Sequence, residues 1–173
     1  MHELSDGAFD PTIKPLVDAW GFGEKVMRKE PDATRIESLK NDYGFRKILI
    51  STNGISKLSP QLSINLSAIA KGYGVDQVYR LLEAKGYANI FVEIGGEVRV
   101  KGMPFDAPVW RVGIELPDAD ISFGEALFEG KILGLNKMAV ASSGSYRNFR
   151  EDEGGNKISH IIDPRSGYPV RNG

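Results

Sequence analysis

The change of hydrophobic period at residue 86 constrains the fold more than any other feature of the chain. Before it, residues 67–85 carry Ile69, Tyr73, Val75, Val78, Leu81 and Leu82 near helical spacing, and Gly86 supplies a stop. Immediately after it, "NIFVEIGGEVRVKG" (89–102) holds two β-rich runs joined at Gly95-Gly96, the pattern of a tight hairpin. "VWRVGIEL", "KILGLNKMAVAS" and "KISHIID" predict further strands. Helices dominate before residue 86 and strands after residue 88, without strand–helix–strand alternation. That predicts an α+β fold, a mostly antiparallel sheet with packed helices.

Upstream, "SDGAFDPT" (5–12) reads as a loop, and Pro11 opens a short helix on Ile13, Leu16, Val17 and Trp20 that stops at Gly21 and Gly23. "PDATRIESLKNDYG" (31–44) predicts a surface helix with an Asp32 cap, apolar Ile36 and Leu39, and a stop at Gly44. "RKILIST" and "GISKLSPQLSINLS" read as strands. The 173 residues suffice for one domain, 1–173, with a sizeable core; 41% hydrophobic and 26% charged residues are ordinary for a soluble globular chain. A net charge of −1 without long one-sign runs argues against broad nucleic-acid binding. The absence of cysteine excludes disulfides, thiolate zinc sites and cysteine nucleophiles. No apolar run reaches the roughly 18 residues of a membrane span, and the N-terminus lacks the apolar region of a signal peptide.

Four segments carry candidate chemistry. In "NLSAIAKGYGVD" (65–76) the small residues Ala68, Ala70, Gly72 and Gly74 surround Lys71 at a helix entrance. Such an entrance suits a phosphate, yet small residues equally permit tight packing with Lys71 in solvent. In "AVASSGSYRNF" (139–149) a strand runs into Ser142, Ser143, Gly144 and Ser145, followed by Arg147: an anion-binding turn or an ordinary hydrophilic one. In "SHIIDPRSGYP" (159–169) His160 sits in an apolar strand before a turn, which suits either a structural or a catalytic role. In "SDGAFDPT" Asp10 either caps a helix or belongs to a loop that holds a flat ring against Phe9. His2, the other histidine, falls at an end expected to fray.

Together and in this order, "SDGAFDPT", "NLSAIAKGYGVD", "VEIGGEVRVKG" and "AVASSGSYRNF…SHIIDPRSGYPV" resemble the FAD:protein FMN transferase family, also called ApbE and formerly thiamine biosynthesis lipoprotein. The resemblance covers essentially the whole chain. It implies the family's α+β fold with flavin in a cleft. It also implies a Mg²⁺-dependent transferase that splits FAD, attaches FMN through a phosphoester to a Ser or Thr of a target flavoprotein, and releases AMP. Residue by residue it implies FAD contacts at Ala8, Phe9, Asp10, Asn65 and Lys71, and a backbone carbonyl for the metal at Ala68. It further implies contacts at Ser143 and Gly144, and flavin along His160 and Ile161, with His160 the best base. On this reading Lys71→Ala weakens FAD binding and leaves stability within ~0.5 kcal/mol, the usual range for exposed positions.

Two departures qualify the resemblance. The family has Asp where this chain has Asn65, which keeps the hydrogen-bonding shape and removes the charge. The family's lipoprotein signal, with its Met and Tyr FAD contacts, and its C-terminal Asp and Thr metal ligands have no counterpart within 1–173. The expectation is therefore a central, truncated piece of a periplasmic protein lipid-anchored to the bacterial inner membrane. Such a piece would bind Mg²⁺ weakly, transfer little, and tend to self-associate through exposed edges. A flavin-binding module without transfer, or a pyrophosphatase giving FMN and AMP, are the competing expectations.

Overall fold

A computed structural model describes residues 1–23, 29–114, 131–144, 148–152 and 154–171. The chain divides into two compact units, Met1–Leu66 with Asn148–Gly173, and Ser67–Arg147. Among the described residues no helix is long and apolar enough to cross a membrane.

The first unit is built on two short helices, α1 (Lys14–Ala19) and α2 (Ala33–Leu39). α1 begins three residues later than Pro11 suggests. Asp10 Oδ1 takes the Thr12 N–H at 2.8 Å, a local turn that competes with helix, and Pro15 then supplies the favoured first-turn proline. α2 starts as expected, with the Asp32 carboxylate accepting from Arg35 N at 2.8 Å. It stops at Leu39 rather than Gly44, whose N–H is instead bound by Thr12 Oγ1 at 2.7 Å. Leu16 and Trp20 from α1 and its cap pack with Ile36, Leu39, Tyr43 and Ile162 to form the core of this unit.

Two hairpins complete the first unit. β1 (Ile48–Ser51) pairs with β2 (Gly54–Lys57), and Ile50 and Ile55, directly opposite one another, both face solvent. The expected second strand is short: residues 58–66 leave the ladder around Pro60.

The other hairpin, together with the turn that follows it, lies near the end of the chain. The turn 163–168 is nailed to the core by two side chains. Trp20 Nε1 donates to Gly167 O at 2.9 Å and Tyr43 Oη to Pro164 O at 2.6 Å. Burial, then the nearby charges of Asp10, Glu37 and Asp163, push the Tyr43 phenol up to about 12. A raised phenol favours the neutral form in the fold. Its stabilisation is complete below the ordinary value near ~10 and is lost as pH rises from there to about 12. Tyr43→Phe is expected to cost ~1 kcal/mol at neutral pH and to shrink the stability loss between those two pH values. Urea midpoints of both proteins across that window measure it.

In the second unit α3 (Ser67–Ala84) lies against β3 (Ile90–Ile94) and β4 (Glu97–Lys101). Gly95 and Gly96 both have positive φ, +58° and +95°, as the two-residue hairpin turn requires. The expected apolar stripe of α3 is only partly the buried one. Val75 and Tyr79 are buried with Leu82 beside them, against Ile90 and Val92, whereas Ile69, Tyr73, Val78 and Leu81 are exposed.

The period of two along β4 sends Glu97, Arg99 and Lys101 to the face that carries α3. There they pair with Lys71, Asp76 and Glu83 respectively. Arg99 also lies 4.0 Å over the Tyr79 ring. Val98 and Val100 face the other way and pack with Leu135, Trp110, Val112 and Leu133. Those residues belong to the ribbon β5 (Trp110–Ile114) with β6 (Lys131–Leu135). β7 (Ala139–Val140) extends the β3–β4 sheet on β4, giving a three-stranded antiparallel sheet. Residues 115–116 of "VWRVGIEL" lie outside the described residues.

Back in the first unit, β8 (Phe149–Glu151) pairs antiparallel with β9 (Lys157–Ser159). The class is the expected one, α+β with antiparallel sheets.

Candidate functional site

The loop at residues 8–10 is held by side-chain-to-backbone bonds on every side. Phe9 N donates to Ser5 Oγ at 2.9 Å, and His2 Nδ1 donates to Phe9 O at 2.9 Å. The His2 ring also stacks on Phe45 at 4.9 Å, so this histidine is part of the loop's support and not a frayed end. Asp10 is buried. Its Oδ1 accepts from Thr12 N and, at 2.6 Å, from Thr12 Oγ1, while Oδ2 accepts from Phe45 N at 2.9 Å. The carboxylate therefore ties the loop to the 44–45 corner. Asn65 joins the loop through its backbone, N–H to Pro11 O at 2.7 Å. Ala8 is exposed and Phe9 half-buried on this braced loop.

His160 lies one residue past the end of β9 and not within a strand as its apolar neighbours suggest. Its Nδ1 is 2.8 Å from the carbonyl oxygen of Asn148, the residue before β8. A carbonyl only accepts, so Nδ1 carries the proton and, in the neutral ring, Nε2 carries the lone pair. Phe22 meets the imidazole edge-on, with centroids 6.3 Å apart. Ile161 is exposed beside it, its carbonyl accepting from Val170 N at 2.9 Å, and Ile162 plugs the core.

In the second unit Ala68 and Lys71 stand in the first turns of α3, both exposed. Lys71 Nζ donates to Gly95 O at 3.0 Å and lies 2.7 Å from Glu97 Oε2. Its removal would strip that buried oxygen of its counter-charge. The stability loss from Lys71→Ala is accordingly expected to exceed the small value assigned to a solvent-exposed lysine. Ser142, Ser143 and Gly144 follow β7 and are exposed. Ser145 and Arg147 lie outside the described residues.

The small residues around Lys71 divide by cause. A Cβ on Gly74 would stand 3.1 Å from Ile94 Cδ1, so Gly74 serves helix–sheet contact. A Cβ on Gly72 would meet nothing. Packing therefore gives no reason for Gly72, and a helix interior disfavours it. Gly72→Ala is expected to stabilise the fold by ~0.5–1 kcal/mol and, if the α3 entrance takes a phosphate as its composition suggests, to weaken FAD binding. Thermal unfolding and FAD titration of the one variant test both halves.

The ApbE family model matches residues 1–173. The chain belongs to the ApbE family. It is 42% identical to the FAD:protein FMN transferase of Haemophilus influenzae, over 99% of this chain and 49% of that protein. With the transferase of Vibrio cholerae it shares 39%, over 99% of this chain and 50% of that one. Among solved structures, the apo flavinyl transferase ApbE of Pseudomonas stutzeri superposes with a TM-score of 0.80 at 35% identity, covering 98% of this chain and 50% of that one. The flavin transferase ApbE of Vibrio cholerae gives 0.81 at 38%, covering 99% and 52%. A second structure of that protein carries a histidine-to-glycine replacement. This ApbE chain thus spans about half the length of the curated relatives it matches.

For Mg²⁺ the described residues supply little. No group of three or more His, Asp or Glu side chains converges among them, and Ala68 offers a carbonyl alone. They do not make up the carboxylate set that this cation takes. Toward a flavin dinucleotide the first unit offers the braced loop at Ala8 and Phe9 and a histidine whose Nδ1 is committed, and the second unit, taken by itself, the exposed entrance of α3. Three participants escaped the sequence reading. Glu97 stands in a quoted motif but shows its role only through the hairpin's alternation, while Phe22 and the Asn148 carbonyl reach His160 from distant positions without a local signal.

Proposed function

We propose that this chain carries the flavin-handling residues of an FAD:protein FMN transferase. The observation that carries the reading is His160, with Nδ1 committed to the Asn148 carbonyl and Nε2 left as the proton acceptor. In the proposed reaction a Ser or Thr hydroxyl oxygen of a target flavoprotein attacks the FMN-side phosphorus of FAD. The hydroxyl proton passes to Nε2 of His160, and the pyrophosphate P–O bond breaks. AMP leaves with the electron pair, and FMN remains as a phosphoester. Lys71 faces the phosphates, Ala8, Phe9, Asn65, Ser143, Gly144 and Ile161 line the flavin nucleotide, and Asp10 holds the 8–10 loop in place.

The resemblance also implies Mg²⁺ with the Ala68 carbonyl among its oxygens, a ligand set that the described residues do not complete. The same reading places the protein in the periplasm, lipid-anchored to the inner membrane, and treats 1–173 as one domain. Its support is the family membership and the similarity to proteins named for this reaction.

The test is incubation with FAD, Mg²⁺ and an acceptor flavoprotein, followed by acceptor mass and free AMP. Acceptor gain with AMP supports transfer. AMP alone identifies a pyrophosphatase, and retained flavin without AMP identifies a binding module.

A further inference from the structure

We infer that Glu97 is a specificity-determining partner of Lys71, which lets the site take a docked dinucleotide and refuse simple phosphate anions. The inference rests on the reading of Lys71 as a phosphate contact.

Lys71 Nζ has three N–H donors. One goes to Gly95 O at 3.0 Å, and Glu97 Oε2 lies 2.7 Å away. That oxygen is shut off from solvent, and although the ammonium is within ion-pair distance, the angles give it no directed hydrogen bond. The contact is a charge compensation and not an aligned bond. Half of the Lys71 side chain stays exposed against 16% of Glu97, so a largely buried carboxylate compensates a cation whose side chain reaches solvent. Its stem lies close over Gly95, where a Cβ would stand 3.0 Å from Lys71 Cδ. Withdrawing Lys71 toward a ligand would leave a bare carboxylate oxygen inside the protein, which is costly. The pair therefore stays closed when a phosphate arrives.

A closed pair has little net charge to attract a free anion, but it keeps a donor at a set position. A dinucleotide anchored by its flavin and adenosine parts brings its pyrophosphate to that donor. Inorganic pyrophosphate has no such anchors and gains little. Removing the Glu97 charge reverses both effects, since the ammonium loses its fixed position and gains uncompensated attraction for any anion.

Calorimetric titration of this chain with FAD and with inorganic pyrophosphate tests the inference in wild type, Lys71→Ala, Glu97→Gln and Glu97→Asp. Lys71→Ala is expected to weaken FAD binding. Glu97→Gln is expected to lower the preference for FAD over pyrophosphate about fivefold or more. Glu97→Asp keeps the charge, withdraws it by one methylene, and is expected to lower the preference less, about twofold. It carries the test if the glutamine variant fails to fold. An unchanged preference in every folded Glu97 variant, with FAD binding weakened in Lys71→Ala, overturns the inference and leaves the Lys71 reading standing. Unaltered FAD affinity in Lys71→Ala, or no FAD binding by the wild type, overturns both.

Discussion

Asp10→Ala is expected to destabilise the first unit by ~3 kcal/mol, a larger loss than any other single replacement near the site. The buried carboxylate accepts three hydrogen bonds, from Thr12 N, Thr12 Oγ1 and Phe45 N. Bonds to a charged acceptor contribute roughly 1.5–3 kcal/mol each, and they are not additive because they share one side chain. Alanine also strands the Phe45 N–H next to the buried Thr12. Asp10→Asn keeps the shape but turns an amide N–H₂ toward one of the donors, so an intermediate loss of ~1–2 kcal/mol is expected. Chemical denaturation of the three proteins gives the series. If Asp10→Ala loses under ~1 kcal/mol while FAD affinity collapses, the carboxylate serves the ligand and not the loop.

Signals that are complete within a few residues were legible in the sequence. Gly95-Gly96 between alternating runs predicts the β3–β4 hairpin because positive φ and period-two patterning are local properties. The Asp32 cap of α2 is equally local. Boundaries set by distant partners were not legible. α1 starts late because Asp10 claims the Thr12 N–H in a local turn, and beyond α2 the Gly44 and Phe45 donors go to Thr12 and Asp10, partners that no propensity scale contains. In α3 the apolar residues run around too much of the helix to say which face is buried. Ile90, Val92 and the charged row Glu97, Arg99 and Lys101 choose Val75 and Tyr79.

The site divides along the same line. Motif order singles out the candidate segments, since Ala8 to Asp10, Lys71 and His160 lie in stretches that can be quoted. What each residue does depends on partners far away in the chain. The stretch "KISHIID" alternates well enough to read as one strand through His160. The ladder nevertheless ends at Ser159, because the register pairs it with Phe149, the first residue of β8. The Asn148 carbonyl, one residue before that ladder, is thereby left to His160. β8 itself, "FRE", has too little apolar character to be seen as a strand before its partner is known.

That placement of His160 makes its replacement the most damaging for chemistry. In a protein of the relatives' full length, His160→Ala is expected to lower FMN transfer about 10²-fold or more, the usual size for a lost general base, while FAD affinity changes little. The ring Nδ1 is held by a backbone carbonyl and its edge by Phe22, so the side chain is oriented without engaging Nε2. Such an arrangement supplies a base whose lone pair direction is set before substrate arrives. Stability should fall only modestly, since His160 is partly exposed and its loss removes one hydrogen bond. Transfer is read from acceptor mass and AMP release, affinity from flavin titration, and stability from thermal unfolding of the same preparations. Undiminished transfer in His160→Ala would place the base elsewhere and reduce His160 to a packing residue against Phe22. A matching fall in FAD affinity and transfer would make it a flavin contact, and the proton would then pass to a group other than Nε2.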